Sequence, residues 1–174
     1  MKITNHLEEA DFVTHAGNFH ADDVFSSMFL ERLFENITLI RLKEYKEGAT
    51  KLAFDIGLGP FDHHGADDDK KRENGIHYCG FGLLWQEYGL KYLKKIKVKN
   101  PEKVFEIIDE LLVIQIDAFD NGEYSFDAPF NIYTLPGLIE QFCPKIGTNE
   151  DETECFLKAV AFADTIFEQI LKDA

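Results

Sequence analysis

Residues 11–30 read DFVTHAGNFHADDVFSSMFL, and the division of this stretch into elements decides the fold. Phe12 to His15 forms a short apolar strand, Gly17 and Asn18 supply a turn, and Asp22 or Asp23 opens a helix. Val24, Phe25, Met28, Phe29 and Leu33 then recur at helical spacing. The same alternation continues outward. Thr38 to Leu42 is β-branched and apolar and reads as a strand, and Leu52 to Ile56 reads as another, interrupted by Asp55. Phe81 to Tyr88 has helical patterning and is followed by Gly89. Asn100, Pro101 and Glu102 carry the capping chemistry of a helix start, and apolar residues run on from Val104 to Phe119 until Gly122. A last helix starts between residues 148 and 151, with Phe156, Val160, Ala163, Phe167 and Leu171 as its buried stripe. Strands alternating with helices predict an α/β fold, a mostly parallel sheet with helices on both faces. With no internal repeat or low-complexity linker, residues 1–174 read as a single domain.

Composition limits what such a domain can be. A chain of 174 residues with 45% hydrophobic residues and 16 Phe can fill a substantial core. No apolar run approaches the roughly 20 residues that span a bilayer, and the N-terminus lacks the pattern of a signal peptide, so a cytoplasmic location without membrane association is expected. Cys79, Cys143 and Cys155 are odd in number and widely spaced, which fits neither a disulfide framework nor a thiolate zinc site. The formal charge of −14 argues against a basic nucleic-acid face. Lys91, Lys94, Lys95, Lys97, Lys99 and Lys103 concentrate positive charge locally, as a solvated helix end would.

In parallel α/β sheets ligands gather beyond the carboxyl ends of the strands, which is where His15 and Asp55 fall. Four of the six histidines lie beside carboxylates, in HAGNFHADD and in FDHHG. Imidazole with carboxylate suits borderline divalent metals such as Mn, Fe, Co or Zn. His15, His20 and Asp22 can converge through the turn. Asp23 is a possible ligand but reads better as a helix cap. A charge inside AFDIG is costly unless paired or coordinated, which marks Asp55. Alternation along an extended segment sends Asp62, His63 and His64 to different faces, with His63 as ligand, Asp62 as an orienting group and His64 toward substrate. Asp117 and Asp120 share a helix face in QIDAFDNG, where either could be a ligand. His6 and His77 have only structural readings. Residues 67–72, DDDKKR, read as a solvated loop. Nucleophilic side-chain catalysis has no supporting motif.

The ordered set THAGNFHADD, FDIG, FDHH and IDAFDNG resembles the DHH phosphoesterase superfamily and, more narrowly, the melanocyte proliferating gene family, whose members have been called metal-dependent protein hydrolases. The resemblance extends over nearly the whole chain. It implies a two-metal site, typically manganese, that activates water against a phosphate ester of a nucleotide or short oligonucleotide. By position, His15, His20 and Asp55 would hold one ion, and Asp22, Asp55, His63 and Asp120 the other. Asp117 is the alternative to Asp120, and Asp55 and His64 would carry catalysis. His20 stands where many superfamily members have aspartate. Superfamily enzymes usually grip substrate between two domains, and a homodimer could supply the missing wall. Two other readings are a zinc-dependent deacetylase or amidohydrolase, because HADD also resembles the HxDD of that chemistry, and a metal-binding module without turnover.

Overall fold

Phe12–His15 forms an interior strand, β2, in a computed structural model that describes residues 1–46, 52–64, 70–130 and 132–174. Its neighbours are β3 (Thr38–Leu42) and β4 (Leu52–Ala53), and β1 (Lys2–Thr4) lies outside β3. The order is β1-β3-β2-β4 and every pairing is parallel, with Val13 opposite both Ile40 and Ala53. Because successive side chains alternate faces, Phe12 and Leu39 point into the main core, while Val13, Ile40 and Ala53 join a second, smaller cluster. The α/β architecture with its parallel sheet is as expected. Its second face is covered more thinly than expected: that cluster is completed by Ala10, Leu7, Leu42, Tyr45 and Ile56, and no α-helical residue belongs to it among the described residues.

The main core surrounds α1 (Ala21–Phe34), in which every residue from Ala21 to Leu30 is buried. A helix covered on all sides has no face for solvated polar groups, and the polar residues of this stretch, Asp22, Asp23, Ser26 and Ser27, are all buried. It packs between α2 (Gly80–Lys95) and α6 (Glu152–Asp173). Between these come α3 (Pro101–Ile108), a π-helical stretch at Asp109–Val113, α4 (Ile114–Asp120) and α5 (Leu135–Glu140). No helix among the described residues is long and apolar enough to cross a membrane.

Several boundaries depart from the sequence pattern. The strand expected over Leu52 to Ile56 ends at Ala53; Phe54 still bridges to Phe61, but Asp55 adopts φ 51° and turns the chain out of the sheet. β1 and α5 lie in segments without a clear period. Asp151 caps α6 by accepting from the Glu154 amide at 2.9 Å. The solvated-loop reading of residues 67–72 fails at Arg72, whose side chain is only 8% exposed, while Asp67 to Asp69, like Gly65, lie outside the described residues.

Gly89 does not end its helix. A Cβ there would sit 2.7 Å from the Trp85 ring and 2.9 Å from Phe105, so the glycine lets the indole stack on Phe105 at 5.2 Å. Gly89→Ala should therefore destabilise the fold by about 1–3 kcal/mol through overpacking. Alanine's better helix propensity, worth roughly 1 kcal/mol, offsets only part of this. Denaturant midpoints of the two proteins check the sign, and an unchanged or raised midpoint would refute this packing account.

Candidate metal centre

The carboxyl ends of β2 and β4 deliver His15 and Asp55 to one edge of the sheet. The N-terminus of α1 brings Asp22 and Asp23, the segment after Phe61 brings Asp62, His63 and His64, and the last residue of α4 is Asp120. These groups converge on Asp55. His15 Nε2 lies 3.2 Å from Asp55 Oδ2 and 3.4 Å from Asp23 Oδ2. His63 Nε2 lies 3.2 Å from Asp55 Oδ1, 3.0 Å from Asp120 Oδ2 and 3.9 Å from Asp22 Oδ2. The ligand atoms thus fall into three overlapping sets: His15, Asp23 and Asp55; Asp22, His63 and Asp120; and Asp55, His63 and His64. Each oxygen of Asp55 serves a different histidine.

Neighbouring groups fix these side chains. Asp22 accepts the Gly80 and Phe81 amides at 2.9 and 2.5 Å, placing a buried carboxylate on the positive N-terminal end of α2. Asp23 divides its oxygens: Oδ1 accepts the His20 amide at 2.7 Å as a helix cap, and Oδ2 faces His15. Arg41 donates to the carbonyls of His15 at 3.2 Å and Gly17 at 3.0 Å and to Glu152 at 2.7 Å, with its guanidinium 4.3 Å from the Phe156 ring centre. Glu152 also accepts the Gly17 amide at 3.0 Å. The Asn121 amide nitrogen donates to two backbone carbonyls, which leaves its oxygen 3.3 Å from His63 Nδ1. With Nδ1–H donated there, Nε2 is directed into the cluster. Asp62, almost fully buried, accepts the Leu58 and His64 amides and His64 Nδ1, the last at 2.8 Å.

The charges conflict as they stand. Burial and the neighbouring Asp55 and Asp120 carboxylates push Asp22 well above the usual range. Burial raises the Asp23 carboxyl to about 7, against the pull of His15. Burial works against a charge on His15 and His63, yet the aspartates around them raise the two imidazoles to about 9 and about 11. Asp55 is held below its ordinary value by the two histidines, against its own burial. Asp23 Oδ2, Asp55 Oδ1 and His63 Nε2 are nevertheless buried without a hydrogen bond. Inward-facing carboxylate and imidazole donors lacking partners fit a divalent transition-metal cation, which would replace the shared protons. The centre opens into a cavity of about 500 Å³, where Lys43 is the one lysine or arginine in the lining among the described residues.

Of the residues singled out in the sequence, His15, Asp22, Asp55, His63 and Asp120 are brought together. His20 is exposed and outside the three sets, although its ring lies 5.9 Å from that of His15 and lines the same cavity. Asp117 is turned away: it accepts Arg72 Nε at 2.6 Å and the Cys79 amide at 2.9 Å, and stays outside those sets. The expected alternation after Phe61 does not hold, since the His63 and His64 ring centres lie 4.2 Å apart with planes tilted by 43° and both side chains reach Asp55. Asp23, weighed in the sequence as ligand or cap, makes both contacts, while Arg41 and Asn121 have site contacts that their local sequence does not announce.

A cluster of carboxylates and imidazoles at the strand ends of a parallel sheet defines an α/β protein with side chains grouped so that they could hold a metal ion. A family model named MYG1_exonuc and described as uncharacterised protein family UPF0160 matches residues 11–174, and the chain belongs to that family. No curated protein and no solved structure matches it.

The two aspartates of α4 should separate by experiment. Asp120→Asn is expected to weaken metal binding at least about tenfold, a loss of about 1.4 kcal/mol, without lowering the unfolding midpoint of the chelated protein. Asp117→Ala should cost about 3 kcal/mol of stability by breaking a buried ion pair. Titration calorimetry and thermal melts distinguish them, and equal metal loss from both would overturn the assignment.

Protons supply a further test. Folding raises Asp23 from 3.8 to about 7 and His15 from 6.5 to about 9. The stability each contributes is full below its unfolded value and is lost as pH rises through its folded one. Asp55, shifted downward, acts only in more acidic solution. Chelated protein should therefore melt at progressively lower temperature between about pH 5 and 9, and Mn should flatten that slope by displacing the protons. A chelated midpoint that climbs across this window would contradict the assigned shifts.

Proposed function

We propose that this protein is a dinuclear, manganese-dependent phosphoesterase of the DHH type, acting on a nucleotide or short oligonucleotide. The observation that carries the reading is the division of Asp55, with one oxygen toward His15 and the other toward His63. One ligand set is His15, Asp23 and Asp55, with His20 at its rim; the other is Asp22, Asp55, His63 and Asp120. A single-zinc deacetylase or amidohydrolase would need neither Asp55 nor Asp120. The name of the matching family model, MYG1_exonuc, points to phosphodiester chemistry as well.

A pair of such ions, when bound, lowers the pKa of water toward neutrality and offsets the charge that develops on phosphate oxygens. The remaining work falls to side chains. Asp55 holds both ligand sets in register, and Asn121 keeps His63 Nε2 directed inward. His64, whose side chain is 61% exposed at the mouth of the site, has its pKa raised by its hydrogen bond to Asp62. With Nδ1 engaged by Asp62, its Nε2 is left to donate a proton to a phosphate or leaving-group oxygen. Lys43 lines the same cavity and can attract the phosphate.

Asp55→Ala should abolish metal binding at both sites, whereas His64→Ala should retain metal and lose about a hundredfold in turnover on a small phosphodiester. Elemental analysis and Mn-dependent hydrolysis provide the readouts. One non-exchangeable zinc per chain would sink the dinuclear reading, and stoichiometric Mn binding without turnover on any phosphate ester would favour a non-catalytic module.

A further inference from the structure

Leaving the metal centre past Asp120, the chain becomes aromatic and exposed. Phe119, just before Asp120, and Tyr124, Phe126, Phe130 and Tyr133 after it fall within fifteen residues. Phe119 and Tyr124 stack with ring centres 4.7 Å apart and planes 6° from parallel, and Tyr124 meets Phe126 at 5.3 Å. Phe130 and Tyr133 are 71% and 68% exposed. These rings line a cavity of about 420 Å³. A smaller cavity of about 130 Å³ connects it to the metal centre: it shares His20 and Asp120 with the one and Phe119 and Glu140 with the other.

We propose that this aromatic track is a base-stacking subsite, which takes the unpaired nucleobases of a short oligonucleotide whose phosphate lies at the metal centre. The inference rests on the phosphoesterase reading. Its own support is the continuity of the track with Asp120 and the chemistry of its lining. No lysine or arginine lines either the connecting or the aromatic cavity among the described residues. A chain of net charge −14 gains little affinity from neutralising phosphates, whereas stacking is indifferent to that charge. Each base stacked on an aromatic side chain contributes about 1–3 kcal/mol without regard to sequence. Thr134, Glu140 and Gln141 in the same wall supply hydrogen-bonding groups for base edges.

The test uses a fluorescently labelled tetrathymidylate with uncharged methylphosphonate linkages, and an abasic oligomer of equal length, each titrated by anisotropy into the chelated full chain. Neither probe needs metal or can be turned over. The base-bearing probe should bind about tenfold or more tighter, in line with the stacking of at least one base. That preference should be insensitive to salt and should be lost in a Phe130→Ala, Tyr133→Ala double variant, whose exposed positions spare the core. Ile146→Ala, which removes an exposed side chain outside the track, should keep it. Equal binding of the two probes, or an undiminished preference in the double variant, would overturn the subsite. So would a wild-type dimer that the double variant converts to monomer without change in base preference, since the track would then be an interface between copies. Base-dependent binding in a protein that hydrolyses no phosphodiester would remove the phosphoesterase reading and leave the subsite standing, while Mn-dependent turnover with no base preference would remove the subsite alone.

Discussion

The buried carboxylate of Asp55 faces two histidines at once, one from the carboxyl end of β2 and one from the segment that follows Phe61, each at 3.2 Å. This division requires the strand to end before Asp55, at Ala53, and the backbone to enter the left-handed region, where aspartate is tolerated better than most side chains. A continued extended strand would direct the side chain to one face of the sheet. The shortness of β4 is thus a condition for the site, and the bridge between Phe54 and Phe61 returns the chain so that His63 arrives on the second oxygen.

Around that carboxylate the molecule buries Asp22, Asp23, Asp62 and Asp117, each of which needs compensation for lost hydration. The means differ. Asp22 uses two amides at the start of α2, Asp62 uses the backbone of its own turn, and Asp117 uses Arg72. Arg72 also contacts Asp109, the first residue of the π-helical stretch, at 2.9 Å through its second nitrogen. A π turn shifts the register of the helix that follows it, and here the helix beyond it presents Asp117 to the arginine and Asp120 to His63.

Much of this could be read in the sequence where chemistry and position were local. His15 at a strand end, Asp55 as a charge in an apolar run, and the adjacency of Asp62, His63 and His64 each stand out within a few residues. The parallel α/β order was legible for the same reason, because apolar periodicity is a local signal. What escaped depends on distant partners. Asp117 and Asp120 look equivalent until Arg72, forty-five residues from Asp117, claims one of them. Asp23 read as a cap and is one, but a cap leaves its second oxygen undetermined. The helical pattern before Gly89 does not show that the helix runs on through it, because the reason for the glycine, the Trp85 and Phe105 rings, lies partly on another helix.

The tether between Gly17 and Glu152 joins residues 135 apart in sequence, and Arg41 is held between them. The turn that carries His15 is therefore fastened by the first residue of the last helix, not by its sequence neighbours. During synthesis the N-terminal ligands leave the ribosome early, but their geometry is completed only when that helix docks. At roughly 5–20 residues per second this leaves several seconds in which the histidines and aspartates exist without the frame that orients them. The precision of this cluster is set by the docking of α6 as much as by the side chains that compose it.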